Sequence, residues 1–171
     1  MLCVASAQQL PDCSRQYCEA RGAGGGSKMF SFVNDTTIIS LDGDKLIRLW
    51  ALPVGNSEAA VTAAQPKRIL IGTDSPPTAL FALQGGRLAG AVCVSGGVTV
   101  WSVDSGSVVF KGSMAASSSS SSSFEAHIVD FNGHVRIAAS QVNLDSGLRL
   151  MLFEVNFDGM RPELKCLCRC V

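Results

Sequence analysis

The sequence predicts an all-β fold built from three units of four short antiparallel strands. Charged residues make up only 16% of the 171 residues, whereas long helices usually carry many charged side chains on their solvated faces. Short apolar segments alternate with turns that contain glycine or aspartate, as antiparallel hairpins require. Three aromatic residues, Trp50, Trp101 and Phe153, also recur at spacings of 51 and 52 positions. This near-constant spacing indicates one structural unit that is repeated.

The first unit is predicted between residues 29 and 72. Its third strand includes "DKLIRLWAL" (44–52), which is rich in branched and aromatic side chains and is entered through the turn "LDGD" (41–44). A long excursion separates this strand from the last one. The four predicted strands are 29–33, 37–41, 46–52 and 68–72.

The second and third units repeat the same order of strands. Short turns, "QGG", "SGG" and "DSG", separate the predicted strands of the second unit, which are 78–83, 87–94, 98–103 and 107–112. The predicted strands of the third unit are 126–131, 135–140, 148–155 and 163–168. Between the two units lies "AASSSSSSS" (115–123), which cannot bury enough apolar surface to offset the entropy of ordering it. We therefore predict a mobile loop there.

Four strands in a meander form one blade of a β-propeller. Residues 29–168 resemble the WD-repeat family, in which an aspartate in the turn stands six positions before the tryptophan of the third strand. Asp44 and Trp50 fit that spacing. Ser95 and Gly147 stand at the matching places of the second and third units, and the residues after the three aromatic side chains are Ala51, Ser102 and Glu154. The resemblance implies a partial β-propeller of about three blades, in which Trp50, Trp101 and Phe153 occupy equivalent third-strand positions.

Three blades are fewer than a closed propeller needs, so two sheet edges are expected to stay open. We therefore expect a fragment or a part of a larger assembly, which associates with itself or with a partner when it is isolated. The propeller is assigned to residues 29–171. Residues 1–28 are expected to be a poorly ordered leader or the remnant of another blade.

Composition argues against several classes of partner. Acidic and basic residues both number 14, so charge gives no reason to expect nucleic acid or an anionic membrane as a partner. The chain has no run of about 20 apolar residues, which predicts that it contains no membrane span, although a full-length form could be anchored. The expected partner is another protein.

Seven cysteines form an odd set with no paired C-x-x-C knuckles. The only dense group is the tail "CLCRCV", where strand alternation would place Cys166, Cys168 and Cys170 on one face. Either reduced thiols in a cytosolic strand or a thiolate metal or redox site is compatible with this pattern.

Residue types that usually carry catalysis are sparse. The two histidines, His127 and His134, have no nucleophile at a recognised spacing, so a structural role is expected. The segment "GAGGGSK" (22–28) lacks the spacing of a phosphate-binding loop. We expect no bond-making catalysis, no cofactor and no metal ion.

Within the propellers, residues 78–110 and 126–155 resemble the endoplasmic-reticulum exchange-factor family that activates Sar-type small GTPases. Members carry a glycine loop, commonly with a lysine, and an asparagine eight positions after the last glycine. Asn34 stands eight positions after Gly26. The resemblance implies that Asn34 is the catalytic residue and shapes a loop formed by Gly24, Gly25, Gly26 and Lys28.

This resemblance implies nucleotide exchange in COPII vesicle formation, at the cytosolic face of the endoplasmic reticulum. The propeller would bind the GTPase switch regions, disfavour the magnesium-bound GDP state and hold the empty form until GTP enters. The alternative is a non-catalytic, cytoplasmic WD-repeat scaffold for protein–protein interaction. In that case the glycines form a flexible leader and Asn34 is an ordinary turn residue.

Overall fold

The computed structural model describes residues 29–52, 66–115, 122–131, 134–143, 147–156 and 163–170. These residues form three four-stranded antiparallel sheets, here named A, B and C in chain order. In each sheet, strands that are consecutive in sequence are neighbours in space. The prediction of an all-β fold with three meandering units is therefore confirmed.

Sheet A contains the strand of the "DKLIRLWAL" segment. Its strands are rich in branched and aromatic residues, and successive side chains point to opposite faces of the sheet. In the two central strands, both faces are largely buried. The strands are β1 (Met29–Asn34), β2 (Thr37–Leu41), β3 (Ile47–Ala51) and β4 (Pro66–Leu70).

Sheets B and C have the same order, and a short 3₁₀ turn, Gln84–Gly86, joins the first two strands of sheet B. The strands of sheet B are β5 (Pro77–Leu83), β6 (Leu88–Cys93), β7 (Gly97–Ser102) and β8 (Val108–Ser113). The strands of sheet C are β9 (Ser122–Phe131), β10 (His134–Asn143), β11 (Gly147–Asn156) and β12 (Glu163–Cys170). All twelve predicted strands have a counterpart among these described elements.

The register of the central strands repeats from sheet to sheet. Trp50 of β3 lies opposite Ile38, and Trp101 of β7 lies opposite Ala89. Phe153 of β11 lies opposite Ile137 in the same manner. This common register assigns structurally equivalent positions across the three sheets, which the following sections use.

Two apolar cores lie between the sheets. One joins sheets A and B and includes Ile39, Leu49 and Leu70 from sheet A with Leu80, Ala91 and Trp101 from sheet B. The other joins sheets B and C and includes Phe81, Val98 and Val100 from sheet B with Phe124, Ile137 and Phe153 from sheet C. Strand β5 contacts both β1 and β9, so the first strands of the three sheets are neighbours. Sheet B is therefore packed on both faces.

Several strand boundaries differ from the predicted ones. Strand β9 begins at Ser122, so Ser122 and Ser123 lie within the predicted loop 115–123 and also within the sheet. Ser122 pairs with Asn143 at the end of the ten-residue strand β10, because the backbone ladder can include serine without any contribution from its side chain. Residues 116–121 and the predicted leader 1–28 lie outside the described residues. Within the described part of the chain, no helix is long and apolar enough to cross a membrane.

Candidate functional site

The turn between β2 and β3 carries a buried polar network. The indole Nε1 of Trp50 donates a hydrogen bond to Ser40 Oγ (2.8 Å), and this hydroxyl donates to Asp42 Oδ1 (2.8 Å). Arg48 completes the chain, because its Nη1 donates to Asp42 Oδ2 (2.7 Å) and to Asp44 Oδ1 (2.8 Å). Ser40, Asp42, Arg48 and Trp50 are all buried. Alternation along β2 and β3 places Ser40, Arg48 and Trp50 on one face of sheet A.

The charges of this network hold the β2–β3 turn in place. The Arg48 guanidinium, as a hydrogen-bond donor to the Asp44 carboxylate, lowers the pKa of Asp44 from 3.8 to about 2. The same carboxylate also accepts a hydrogen bond from the backbone N–H of Leu46 (3.1 Å). The two acidic partners raise the pKa of Arg48 above its usual value. The network therefore stabilises the turn.

The equivalent positions of sheets B and C lack this network. Ala91 of sheet B and Ala139 of sheet C stand where sheet A has Ser40. The indole N–H of Trp101 donates instead to the backbone oxygen of Ile71 (2.8 Å). The Phe153 side chain has no N–H, so it needs no acceptor. The three aromatic side chains thus occupy equivalent positions but differ in hydrogen bonding. Trp50 donates to a buried hydroxyl, Trp101 donates to a backbone oxygen, and the Phe153 side chain has no donor.

Asn34 lies at the end of β1, in the turn that leads to β2. Its Oδ1 accepts hydrogen bonds from the N–H (3.0 Å) and the hydroxyl (3.1 Å) of Thr36, and its Nδ2 donates to the backbone oxygen of Gly86 (3.5 Å). Gly86 has a φ of 86°, and a Cβ there would lie 2.7 Å from the Cβ of Asn34. Only glycine fits this close approach between the turns of sheets A and B. Asn34 therefore joins two neighbouring turns.

The other predicted loop residues, Gly24, Gly25, Gly26 and Lys28, lie outside the described residues. Asp44, the remaining predicted blade residue, lies in the β2–β3 turn six positions before Trp50. In sheet B the corresponding residue is Ser95. Its hydrogen-bond partner there is not a charged group but the hydroxyl of Ser75, which lies 2.7 Å from the Ser95 hydroxyl.

On the face of sheet A that points away from sheet B, the side chains of the central strands β2 and β3 are buried, whereas the edge strand β1 exposes aromatic side chains. Phe30 and Phe32 are 65% and 62% exposed, and their rings meet edge to face at a centroid distance of 6.4 Å. By register, Phe30 is equivalent to Leu80 of sheet B, which is 8% exposed because it packs against sheet A. The Leu80 position is therefore buried between two sheets, whereas the equivalent Phe30 position of sheet A is exposed to solvent.

The face of sheet C that points away from sheet B exposes apolar side chains near the turn between β10 and β11, and it carries the Arg136–Glu154 ion pair farther along the same strands. Leu150 is 54% exposed, whereas Val98 at the equivalent position of sheet B is 1% exposed. Leu148 and Val142 lie opposite each other on the same face and are likewise exposed. Large exposed apolar patches of this kind are typical of protein interaction surfaces. We name the outer faces of sheets A and C the two end faces.

The three cysteines of β12 do not share one face, so that prediction is wrong. Cys168 pairs with Leu152 and Cys170 with Leu150, but Cys166 pairs with Phe153, because a β-bulge at Leu167 shifts the register. Cys168 and Cys170 therefore belong to the end face of sheet C, and Cys166 lies on the opposite side of the strand. All three are exposed thiols.

No metal site is found among the described residues. No three His, Cys, Asp or Glu side chains among them are grouped so that they could hold a metal ion. An open cleft of about 330 Å³ lies near the first strands, and its lining has no titratable side chain. The residues that line it are Ser31, Phe32, Leu80, Phe81, Ala82, Ile128 and Val135. His127 is exposed on β9 and is not among the residues that line this cleft.

Sequence reasoning identified Asp44 and Trp50 but missed the partners that connect them. Ser40 and Arg48 alternate with the apolar residues of β2 and β3, and Arg48 stands four positions after Asp44. A polar residue inside each of two otherwise largely apolar, buried strands, Ser40 in β2 and Arg48 in β3, was the available signal. The end faces gave no such signal, because the sequence does not show which apolar face of a strand lacks a neighbouring sheet.

No protein-family model matches the chain, and no curated protein is significantly similar to it in sequence. Solved structures, however, are similar in fold. The β-propeller domain of Cps50 (Swd1) from Myceliophteria thermophila superposes with a TM-score of 0.52 at 16% identity, over 83% of this chain and 37% of that one. The WD40 domain of SCAP from fission yeast gives a TM-score of 0.52 at 12% identity, over 84% of this chain and 31% of that one.

Both matches cover most of this chain but only about a third of the other protein, with 37% and 31% of its length aligned. Sequence identities this low establish the fold and nothing further about activity. Three four-stranded meanders, a repeated aromatic position in the third strand and the alignment with two propeller domains agree with one another. The chain has the fold of part of a WD40-type β-propeller.

Proposed function

We propose that this chain is a protein-interaction scaffold whose two end faces bind apolar β-sheet surfaces of partner proteins. The observation that carries the proposal is the exposure of Phe30 and Leu150 at positions that sheet B buries in its contacts with sheets A and C. WD40 propeller domains, the fold that the chain shares, have no chemistry in common, so the function must be argued from these surfaces.

The exposed aromatic and aliphatic side chains of the end faces fit an apolar sheet surface. Aromatic residues are enriched at the centres of protein interfaces, and Phe30 and Phe32 supply two rings at one end. Burial of such side chains contributes roughly 25 cal/mol per Å² of apolar surface removed from water. Each internal contact between sheets already uses this type of surface. In this proposal the complementary face belongs to a separate polypeptide.

The test is the capture of partners by end-face variants. Two double variants, Phe30→Asp with Phe32→Asp and Leu148→Asp with Leu150→Asp, place charges on one end face each. Val109→Asp is the matched control, because Val109 is an exposed apolar residue on β8 of the internal sheet. We expect cross-linked partners of the wild-type chain to be lost in the end-face variants and retained in the control. An unchanged partner set in all variants with intact β-sheet circular dichroism would contradict the proposal.

A second candidate function is guanine-nucleotide exchange on a Sar-type GTPase at the endoplasmic reticulum, with COPII vesicle formation as its setting. Its support is the resemblance of residues 78–110 and 126–155, together with the side chain of Asn34, which binds the backbone of both Thr36 and Gly86. In this proposal the GTPase binds across the Asn34 turn, and differential binding of its two conformations drives GDP release.

A nucleotide-release assay with a Sar-type GTPase tests this candidate. Asn34→Ala should slow exchange, while Thr36→Val, which keeps the Asn34 side chain and removes only one hydroxyl partner, should have a smaller effect. Acceleration that survives Asn34→Ala would retain the function and reject the residue. No acceleration by the wild-type protein would reject the function and leave the scaffold proposal intact.

A further inference from the structure

The outermost strand of sheet C places two thiols in contact. The Sγ atoms of Cys168 and Cys170 lie 3.7 Å apart, and either can donate its proton to the other. Both side chains are exposed, and among the described strands β12 is paired with β11 alone. Edge strands of this kind open more readily than central ones, which allows the small movement that a covalent bond between the sulfurs requires.

The third thiol of the strand is separated from this pair. Because of the bulge at Leu167, Cys166 lies on the other side of β12 from Cys168 and Cys170. The Cys166 Sγ accepts a hydrogen bond from Arg169 Nε (3.4 Å). The contact between Cys168 and Cys170 raises the pKa of the Cys168 thiol. Cys168 therefore keeps its proton more readily than an isolated thiol, which suits the donor in a hydrogen-bonded dithiol.

We propose that Cys168 and Cys170 form a redox-active dithiol that low-molecular-weight disulfides oxidise to an intrachain disulfide. The thiolate of Cys170 attacks one sulfur of the small disulfide, which forms a mixed disulfide and releases one small thiolate. Cys168 then loses its proton to solvent and attacks the Cys170 sulfur, which forms the Cys168–Cys170 bond and releases the second small thiolate. The protein dithiol loses two electrons and two protons, and the small disulfide is reduced to two thiols. Because the product is exposed and closes a very short loop, it is expected to be readily reduced again.

Oxidation of the full chain with oxidised glutathione, followed by alkylation of the remaining thiols and tryptic digestion, tests the proposal. Trypsin cleaves after Lys165 and Arg169, which separates residues 166–169 from residues 170–171. A disulfide between Cys168 and Cys170 keeps these two peptides joined, and dithiothreitol releases them. We expect the joined product in the wild-type chain, while Cys93, which is buried, stays free.

Cysteine-to-serine variants identify the bond. The joined product should persist in Cys166→Ser and disappear in both Cys168→Ser and Cys170→Ser. Loss of the joined product in Cys166→Ser, with retention in Cys168→Ser, would overturn the assignment in favour of a Cys166–Cys170 bond. Stable glutathione adducts on separate peptides, or full alkylation of all three thiols in the wild-type chain, would overturn the proposal as well. These outcomes do not depend on partner binding, so the scaffold proposal can fail independently.

Discussion

Sheets A and B place a tryptophan at the same position of the same strand order, but they satisfy its indole N–H differently. In sheet A, Trp50 donates to Ser40, and the hydrogen bonds continue through Asp42 to Arg48. In sheet B, the equivalent of Ser40 is Ala91, and Trp101 donates to the backbone of Ile71. One fold position therefore tolerates either a buried ionic network or a single bond to a backbone carbonyl.

The difference follows from what each tryptophan packs against. Trp101 is 0% exposed within the apolar contact between sheets A and B, where Ala91 and Thr99 stand in place of Ser40 and Arg48. The polar residues of sheet A lie on the face that points away from sheet B, where they are buried and hydrogen-bonded to one another, while Phe30 and Phe32 of the edge strand are exposed. We infer that the network gives the end blade a fixed β2–β3 turn, whereas the internal blade obtains the same order from apolar contacts on both faces.

The largest effect is expected from Arg48→Met, which keeps an unbranched apolar stem and removes the guanidinium from the two carboxylates. Asp42 is 4% exposed, so loss of its cationic partner leaves a buried negative charge. We expect the free energy of unfolding to fall by about 3–5 kcal/mol, as for other buried ion pairs that lose one partner. Urea denaturation provides the measurement.

The matched change in sheet B is Thr99→Val, because Thr99 occupies the position equivalent to Arg48 and is also buried. It replaces a neutral hydroxyl by a methyl group of similar size, so we expect a loss of about 1 kcal/mol or less. Equal losses of unfolding free energy for Arg48→Met and Thr99→Val would contradict the expectation that the ionic network of sheet A contributes more than the neutral residue of sheet B.

A smaller effect is expected from Ser40→Ala, which removes the acceptor of the Trp50 indole. A buried donor without a partner costs about 1–3 kcal/mol. In a Trp50→Phe background the same change should cost about 1 kcal/mol less, because the donor is already absent. Urea denaturation of the wild type, both single variants and the double variant measures this coupling. Additive losses would show that the Ser40–Trp50 bond does not contribute.

The stability losses of Trp50→Phe and Trp101→Phe compare the two indole hydrogen bonds directly. The acceptor of Trp101 belongs to Ile71, a residue that is 72% exposed, so water can replace the indole at that carbonyl. The acceptor of Trp50 is the buried hydroxyl of Ser40. We expect Trp50→Phe to cost about 1 kcal/mol more than Trp101→Phe for the hydrogen bond alone. A larger loss at Trp101, measured by thermal unfolding, would show that ring packing outweighs the hydrogen bonds.

The sequence was sufficient to predict the number of strands and the order of the sheets. Apolar alternation, short glycine turns and the spacing of Trp50, Trp101 and Phe153 are local signals, and they determine local structure. The register shift at Leu167 was not predictable, because a bulge depends on how β12 pairs with β11 rather than on its own composition. The link from Arg48 to Asp42 also required the fold, since alternation alone does not show which polar side chains meet.

The smallest effect is expected from acid titration of Asp44, which lies at the exposed end of the same network. Its pKa in the folded protein, about 2, is below its usual value because Arg48 stabilises the carboxylate. The folded state therefore binds this proton less tightly than the unfolded state, so the contribution to stability is complete above about pH 4 and is lost as the pH falls towards 2. Asp44→Asn should flatten the stability profile of the protein in that window, whereas Asp74→Asn, which removes a solvent-screened ion pair with Lys111, should leave it nearly unchanged. Thermal unfolding from pH 5 to pH 2 measures both profiles. If the Asp44 variant retains the wild-type acid dependence, the β2–β3 turn is held by Asp42 and Arg48 alone, and the spacing of six positions between Asp44 and Trp50 then reflects turn geometry rather than charge.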